Sequence, residues 1–338
     1  MSPDDPGIVL ELIGAFRRSK TMFTAVRLGV FDRLHERPCA VNELARELGA
    51  GPGALARLLD GCVGLGLLVK RGEEYHNTEA ANVYLRQGSS RSLAGYILYS
   101  DAVLYPLWAH LDDAVREGTH RWRQTFGWEG GIFEHLFHTP ESRRTFLEGM
   151  HGLGLLSSRE VVRVFNLSRF PHMVDLGGAT GHLAIAACER YGSMRATVYD
   201  LAEVVQHAGP HLEASAARER LETQAGDFFR DELPRAGLYA LGRIVHDWSE
   251  EKMLALLRRI HAVLPAGGGV LLAEALLDED GTGPVSAQMQ SLNMLIATEG
   301  RERTPEEYRA LLEGAGFGDV ETRRTGAPLD AVLAIKKQ

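Results

Sequence analysis

Cysteine is scarce. The 338-residue chain carries three, Cys39, Cys62 and Cys188, and no two of them stand at a Cys-x-x-Cys spacing. That excludes a disulfide-stapled scaffold and a thiolate zinc site, and it fits free thiols in a reducing cytoplasm. Long apolar runs are also missing: no stretch reaches the roughly 18 residues that cross a bilayer. The opening MSPDDPGIVLELIGAF carries acids where a secretory leader carries positive charge, which argues for a cytoplasmic protein. Positive charge is in deficit, with 37 Lys and Arg against 45 Asp and Glu and a net charge of −8, so a protein built around a polyphosphate backbone is disfavoured. Internal repeats and low-complexity tracts are absent.

What is present is an ordinary globular composition, 45% hydrophobic and 24% charged, over a length that suits two domains. Residues 8–165 read almost wholly as helices, with stops such as REGTH (116–120) and HTPES (138–142). Within them, VNELARELGAGPGALARLLDGCVGLGLLVKRGEEYHNT holds two short helical patterns split by GAGPG and followed by a polar hairpin, VKRGEEYH. That is the outline of a winged helix-turn-helix. DNA binding is the less favoured use of it. Residues 36–87 carry six cations against seven anions, and the candidate recognition helix ALARLLDGCVGLGLL has Arg57 as its only cation. Phosphate contacts need clustered Lys and Arg, whereas so apolar a helix suits a subunit interface.

After Pro171 the pattern changes to apolar runs alternating with amphipathic helices: HMVDL, RATVYDL, ETQAG, LYALGRIVH, GGVLLAEALL, VETRRT and AVLAIKK. The alternation predicts an α/β domain with a parallel sheet covered on both faces, ending in an antiparallel strand pair. The boundary is expected near residues 160–172, giving a helical domain over 1–165 and an α/β domain over 166–338.

The stretch VDLGGATGHLAI (174–185) joins a strand to a helix through a glycine turn. A dinucleotide fingerprint needs glycine at the first, third and sixth positions, and counting from Gly177 the latter two are Ala179 and His182. Asp175, Gly177, Gly178 and Gly181 fit instead the frame of an S-adenosylmethionine site, with an acid two residues before the glycines. Asp200 ends the next strand, where its carboxylate can accept from both ribose hydroxyls; the alternative is a helix cap. Asp227 and Phe228 follow the third strand in AGDFF, an acid for the adenine amine and a ring for the base face; Phe228 could equally be core. Three hits at successive strand ends favour the ligand reading, because open parallel sheets bind ligands there.

His246, in RIVHDWSEEK, falls just beyond the fourth strand, and Glu274 (LLAEALL) and Glu302 (EGRERTPEEY) fall at later strand ends. A carboxylate on one ring nitrogen fixes the imidazole tautomer and leaves the other nitrogen to take a proton. The competing reading of Glu302 is an acid near a helix start at TPEEY. Methyl transfer to a phenol, pKa about 10, needs such a base, worth about 10²- to 10⁴-fold. No metal is required: His207 and His211 have ligand-like spacing, but Gly209 and Pro210 break the helix that would use it, and His135 and His138 read as an exposed pair.

Taken together, LGVFD, NTEAANVYL, HLDDAVREGTH, FNLSRF, GDFF, RIVHDW, SLNML, TEGRERT and LDAVLAIKK resemble the plant-type, acetylserotonin O-methyltransferase family, from about residue 14 onward. The resemblance implies a Rossmann-like, seven-stranded class I methyltransferase sheet behind an all-helical, winged-helix dimerisation domain. It implies S-adenosylmethionine as cofactor, S-adenosylhomocysteine as product, and cofactor contacts at Gly177, Asp200, Leu201, Asp227, Phe228, Arg243 and Trp248. His246 matches the family's catalytic base, with Glu274 and Glu302 supporting it. Tyr105, Trp108, Phe146, Met150, Asp247, Asn293, Met294 and Ala297 match the pocket for a small aromatic hydroxylated acceptor. The family's homodimers use the N-terminal helices, the one around KTMFTAVRLGVFD closing the partner's pocket. Two departures stand out. Ala179 replaces the middle glycine of GxGxG, which keeps open a reading as a cofactor-binding member with other chemistry or none. Ala297 stands where the acetylserotonin enzymes carry a glutamine for the substrate amide, which favours a flatter or bulkier phenol.

Overall fold

The structure, a computed structural model, describes residues 5–130, 132, 137 and 139–337; His135 and His138 lie outside them. The chain forms two compact units, Met1–Val103 and Leu104–Gln338.

In the first unit the helices Val41–Leu48 and Pro52–Gly64 are followed by a hairpin of β2 (Leu68–Arg71) and β3 (Glu74–Asn77). Proline at the first turn starts the second helix without forfeiting a hydrogen bond. A two-residue strand, β1 (Cys39–Ala40), pairs with β3 and completes a small sheet of order β1-β3-β2. Phe31, Leu44, Leu59 and Leu68 are fully buried beneath it, and the Tyr75 hydroxyl donates to Asp60 Oδ1 at 2.7 Å. The helix-turn-helix and wing read from the sequence are both formed.

The second unit holds seven strands: β4 (His172–Leu176), β5 (Arg195–Asp200), β6 (Leu221–Ala225), β7 (Leu238–Gly242), β8 (Gly269–Glu274), β9 (Gly318–Arg323) and β10 (Asp330–Ile335). Their order is β6-β5-β4-β7-β8-β10-β9, with β10 antiparallel to both neighbours and the other pairs parallel. The central strands read as unbroken apolar runs because both faces are covered. Leu238 and Ala240 join the core on one face with Met173, Ala196 and Leu271, while Tyr239 and Leu241 join Val174, Leu256 and Val332 on the other. The strand order reverses between β4 and β7, so a ligand crevice opens at their C-terminal ends.

The helices between 105 and 163 belong to this second unit, although the sequence changes character only near 160–172. Pro140–Leu155 and Ser158–Arg163 pack on the helix His182–Arg190, and Leu111–Glu117 packs on Val285–Ala297. Fully buried Trp122 donates from Nε1 to the Ala297 carbonyl at 2.7 Å. The onset of strands in the sequence marks where the sheet begins, not where packing is divided. Among the described residues no helix is long and apolar enough to cross a membrane.

Candidate active site

The turn after β4 is shaped by what its glycines leave out. A β-carbon on Gly177 (φ +71°) would sit 2.5 Å from Ile244 Cδ1 and 3.5 Å from Phe228 Cε1. Glycine alone admits Ile244 this close to the backbone. Gly178 and Gly181 are equally confined: added β-carbons would lie 2.8 Å from Asp175 Cγ and 2.9 Å from Leu212 Cδ2. Ala179 has φ +48°, a left-handed conformation that costs a side-chain-bearing residue about 1 kcal/mol. Its amide donates to Asp200 Oδ2 at 2.9 Å.

Asp200, at the end of β5, also accepts from the Leu201 amide through Oδ1 at 2.8 Å. Each carboxylate oxygen therefore keeps a lone pair for a ribose hydroxyl. Burial raises its pKa to about 6. Asp227 lies beyond β6 and accepts from the Phe229 amide at 2.8 Å. Arg243, one residue past β7 and in a left-handed conformation (φ +57°), has a buried Nε with no partner among the described residues. Trp248 meets Phe229 edge-on at 4.9 Å and lies under the Lys252 ammonium. Close-packed glycine backbone, a strand-end carboxylate, a ring and an orphaned cationic donor fit an adenosine cofactor with an amino-acid tail. Asp175 has a different place: it is buried, accepts from the Ala184 amide at 3.1 Å, and so braces the following helix.

His246 lies in a short 3₁₀ turn, Val245–Asp247, just past β7. Glu274, the last residue of β8, fixes that turn by accepting from the Ile244 and Val245 amides at 3.0 and 2.8 Å. Its other oxygen is 3.4 Å from His246 Nδ1, and Glu302 Oε1 is 2.6 Å from the same nitrogen. Glu302 is outside the following helix, which starts at Pro305 behind a Thr304–Glu307 capping box. All three side chains are buried. Burial alone would lower the imidazole pKa, but the charges of Glu302, Glu274 and Asp247 and the Glu302 hydrogen bond outweigh it and raise it to about 10. Burial in turn lifts Glu274 to about 7 and Asp247 to about 6. With Nδ1 held by a carboxylate, Nε2 is the nitrogen left for chemistry; Asp247 Oδ1 lies 3.6 Å from it.

On the acceptor side, Trp108 Nε1 donates to Asn293 Oδ1 at 3.0 Å, joining two of the candidates across 185 residues. Asn293, Met294 and Ala297 share the buried side of the helix Val285–Ala297. Phe146 and Met150 stand one turn apart, half-buried, on Pro140–Leu155, with Phe146 edge-on to Phe137. Tyr105 is exposed.

Sequence reasoning missed a second histidine group. His151 Nδ1 lies 2.8 Å from Thr180 Oγ1, its ring stacks on His211 at 3.8 Å, and His182 Nδ1 is 2.8 Å from Ser158 Oγ. Of the ring contacts here only His211 carries a signal in the sequence, its spacing from His207, and that spacing is set aside as a metal site because Gly209 and Pro210 interrupt it. Among the described residues, the one His, Cys, Asp and Glu set whose ligand atoms all converge, within 4.8 Å, is His246, Glu274 and Glu302.

Residues 108–318 match the family model of the O-methyltransferase domain, and residues 10–87 match that of the O-methyltransferase dimerisation domain. The chain is 44% identical to acetylserotonin O-methyltransferase from Bos taurus over 97% of each chain. Its fold is similar to the crystal structure of human N-acetylserotonin methyltransferase in complex with SAM, with a TM-score of 0.94, 40% identity and full coverage of both chains. PigF with SAH is a further structural relative, at TM-score 0.88 and 27% identity, covering 98% of this chain and all of the other.

Proposed function

The chain belongs to the S-adenosylmethionine-dependent O-methyltransferase family, and on that premise we propose that it methylates the hydroxyl of a small aromatic acceptor, with His246 as general base and no metal. The single observation that carries this reading is the buried His246–Glu302 contact, 2.6 Å at Nδ1, at the end of the strand beside the cofactor crevice.

Bound S-adenosylmethionine supplies an electrophilic methyl on a sulfonium that leaves without assistance from the protein. The acceptor is the partner that needs help. His246 Nε2 takes the hydroxyl proton as the oxygen attacks, and Glu302 holds the Nδ1 proton and stabilises the imidazolium that forms. Glu274 keeps the turn rigid through two backbone amides. The neighbouring carboxylates that raise the imidazole pKa to about 10 stabilise the imidazolium that forms, and they make the neutral, proton-accepting imidazole the minor form at neutral pH, so turnover should rise with pH towards that value. A metal is unnecessary to this reading: Glu302 Oε1 is engaged with His246, and Glu274 Oε1 with the backbone of the turn.

With Oδ1 of Asn293 taken by Trp108, its amide NH₂ is left to donate to an acceptor oxygen. The relatives named for acetylserotonin speak for a hydroxyindole-like acceptor. Ala297 offers no side-chain donor or acceptor, so the side-chain amide of acetylserotonin has less to hold it, and flatter or bulkier phenols are accepted as well. The N-terminal helices form a homodimer; Ile8, Leu10, Leu12, Ile13 and Phe16 are more than half exposed on the helix Gly7–Arg27. The three free, buried cysteines fit a cytoplasmic setting.

A radiolabelled-methyl assay over acetylserotonin, simple phenols and fused-ring phenols tests the proposal. Labelled methyl ether from at least one of them is the expected result. Tight S-adenosylhomocysteine binding with no product on any hydroxyl would overturn it in favour of a cofactor-binding member with other chemistry.

A further inference from the structure

The glycine turn is held on two sides. Towards β5 it is tied through its amides: Gly177 N–H to the Tyr199 carbonyl at 2.8 Å, and Ala179 N–H to the Asp200 carboxylate Oδ2 at 2.9 Å. Towards the helix Pro140–Leu155 it is tied by side chains. His151 on that helix meets the Thr180 hydroxyl at 2.8 Å, and Thr180 is wholly buried. One turn further along the same helix face, a β-carbon on Gly154 would run into the His182 ring. That ring is fixed in turn. The Ser158 hydroxyl donates its one proton to the Gly154 carbonyl at 2.8 Å, so it must accept from His182 Nδ1–H. Residues 180 and 182, either side of Gly181, are thus gripped by positions 151 and 154 of one helix.

We propose that His151, acting through Thr180, is a positioning residue for the S-adenosylmethionine turn. The inference rests on Gly177–Gly181 being that turn. Three observations carry it. Ala179 holds a left-handed conformation without glycine's freedom, so the turn depends on outside support. Thr180 has no other side-chain partner among the described residues, and a buried hydroxyl stripped of its partner is costly. The His151 ring is itself locked, stacked on His211 with 28° between the planes, and His211 stands 3.6 Å from Glu148. Burial, and then the charge of His211, lowers the His151 pKa to about 4, so the brace is uncharged at neutral pH and does not repel a sulfonium.

Calorimetric titration of the full-length protein with S-adenosylhomocysteine tests this, alongside steady-state kinetics and thermal melts. His151→Leu and Thr180→Val should each weaken S-adenosylhomocysteine by about tenfold and raise the KM for S-adenosylmethionine similarly, while the acceptor KM holds. The double variant should lose little more than either single one. His151→Asn, which returns a polar atom near the Nδ1 position, should recover most of the affinity. Unchanged S-adenosylhomocysteine affinity in His151→Leu, additive losses, or equal rises in both KM values would overturn the proposal. Should His151→Leu not fold, Thr180→Ser against Thr180→Val decides the same question, with affinity expected to follow the hydroxyl. Asp200→Ala is the control on the premise: if it binds S-adenosylhomocysteine normally, the turn is not the cofactor's, and that reading fails rather than the link to His151.

Discussion

A β-carbon on Gly300 would run into the carbonyl oxygen of His246. The loop that delivers Glu302 therefore lies directly on the backbone of the turn that carries His246. Gly300→Ala must push the two apart, and the 2.6 Å contact at Nδ1 goes with it. We expect a destabilisation of about 1–3 kcal/mol and a kcat lower by about 10²-fold. Denaturant unfolding and steady-state kinetics check both.

Replacing the base separates chemistry from binding. His246→Ala should lower kcat by about 10²- to 10⁴-fold, with S-adenosylhomocysteine affinity kept. His246→Gln guards against a collapse caused by leaving Glu274 and Glu302 buried without the imidazole. Turnover near the parent value in both variants would refute the assignment.

Stability should carry the signature of the buried imidazole. The pKa of His246 is raised to about 10 in the folded protein, so its contribution is complete below about 6.5, its unfolded value, and is lost as pH climbs towards 10. His151 and His182 are shifted the other way, to about 4 and about 3, chiefly by burial, so theirs is present above about 6.5 and lost as pH falls. Urea midpoints across pH should flatten on the alkaline side in His246→Gln while the acid limb remains. An unaltered alkaline limb would count against the raised pKa.

Asn293→Ala removes the amide that Trp108 orients. Its expected effect is a rise of about five- to twentyfold in acceptor KM, with the S-adenosylmethionine KM unmoved. A shift in the cofactor KM instead would place Asn293 elsewhere in the site.

Exhaustive chelation followed by added magnesium or zinc should leave turnover unchanged. Loss on chelation and recovery with one metal would turn the converging His246, Glu274 and Glu302 atoms into a ligand set.

The sheet was legible because its central strands are apolar runs bounded by turn residues, and the acids Asp200 and Glu274 stand where two of those runs stop. LYALGRIVH reads as one strand, yet it stops at Gly242, because Arg243 turns left-handed and Glu274 captures the next two amides. No local pattern encodes that capture. The ambiguity over Glu302 was resolvable: Thr304 and Glu307 have capping-box spacing, which starts the helix after it. The two-residue β1 has no periodicity to read, and it forms because β3 offers an edge. His151 and Thr180 are 29 residues apart on different elements, and only tertiary packing joins them. The same is true of Trp108 and Asn293.

One consequence of the strand order concerns synthesis. β10 lies between β8 and β9, and β9 has no other neighbour in the sheet. While residues 330–335 are still inside the ribosome, β8 ends in an open apolar edge and β9 has nothing to join. Nascent chains arrested before that point should therefore be protease-sensitive and prone to associate, and should become resistant together once β10 emerges.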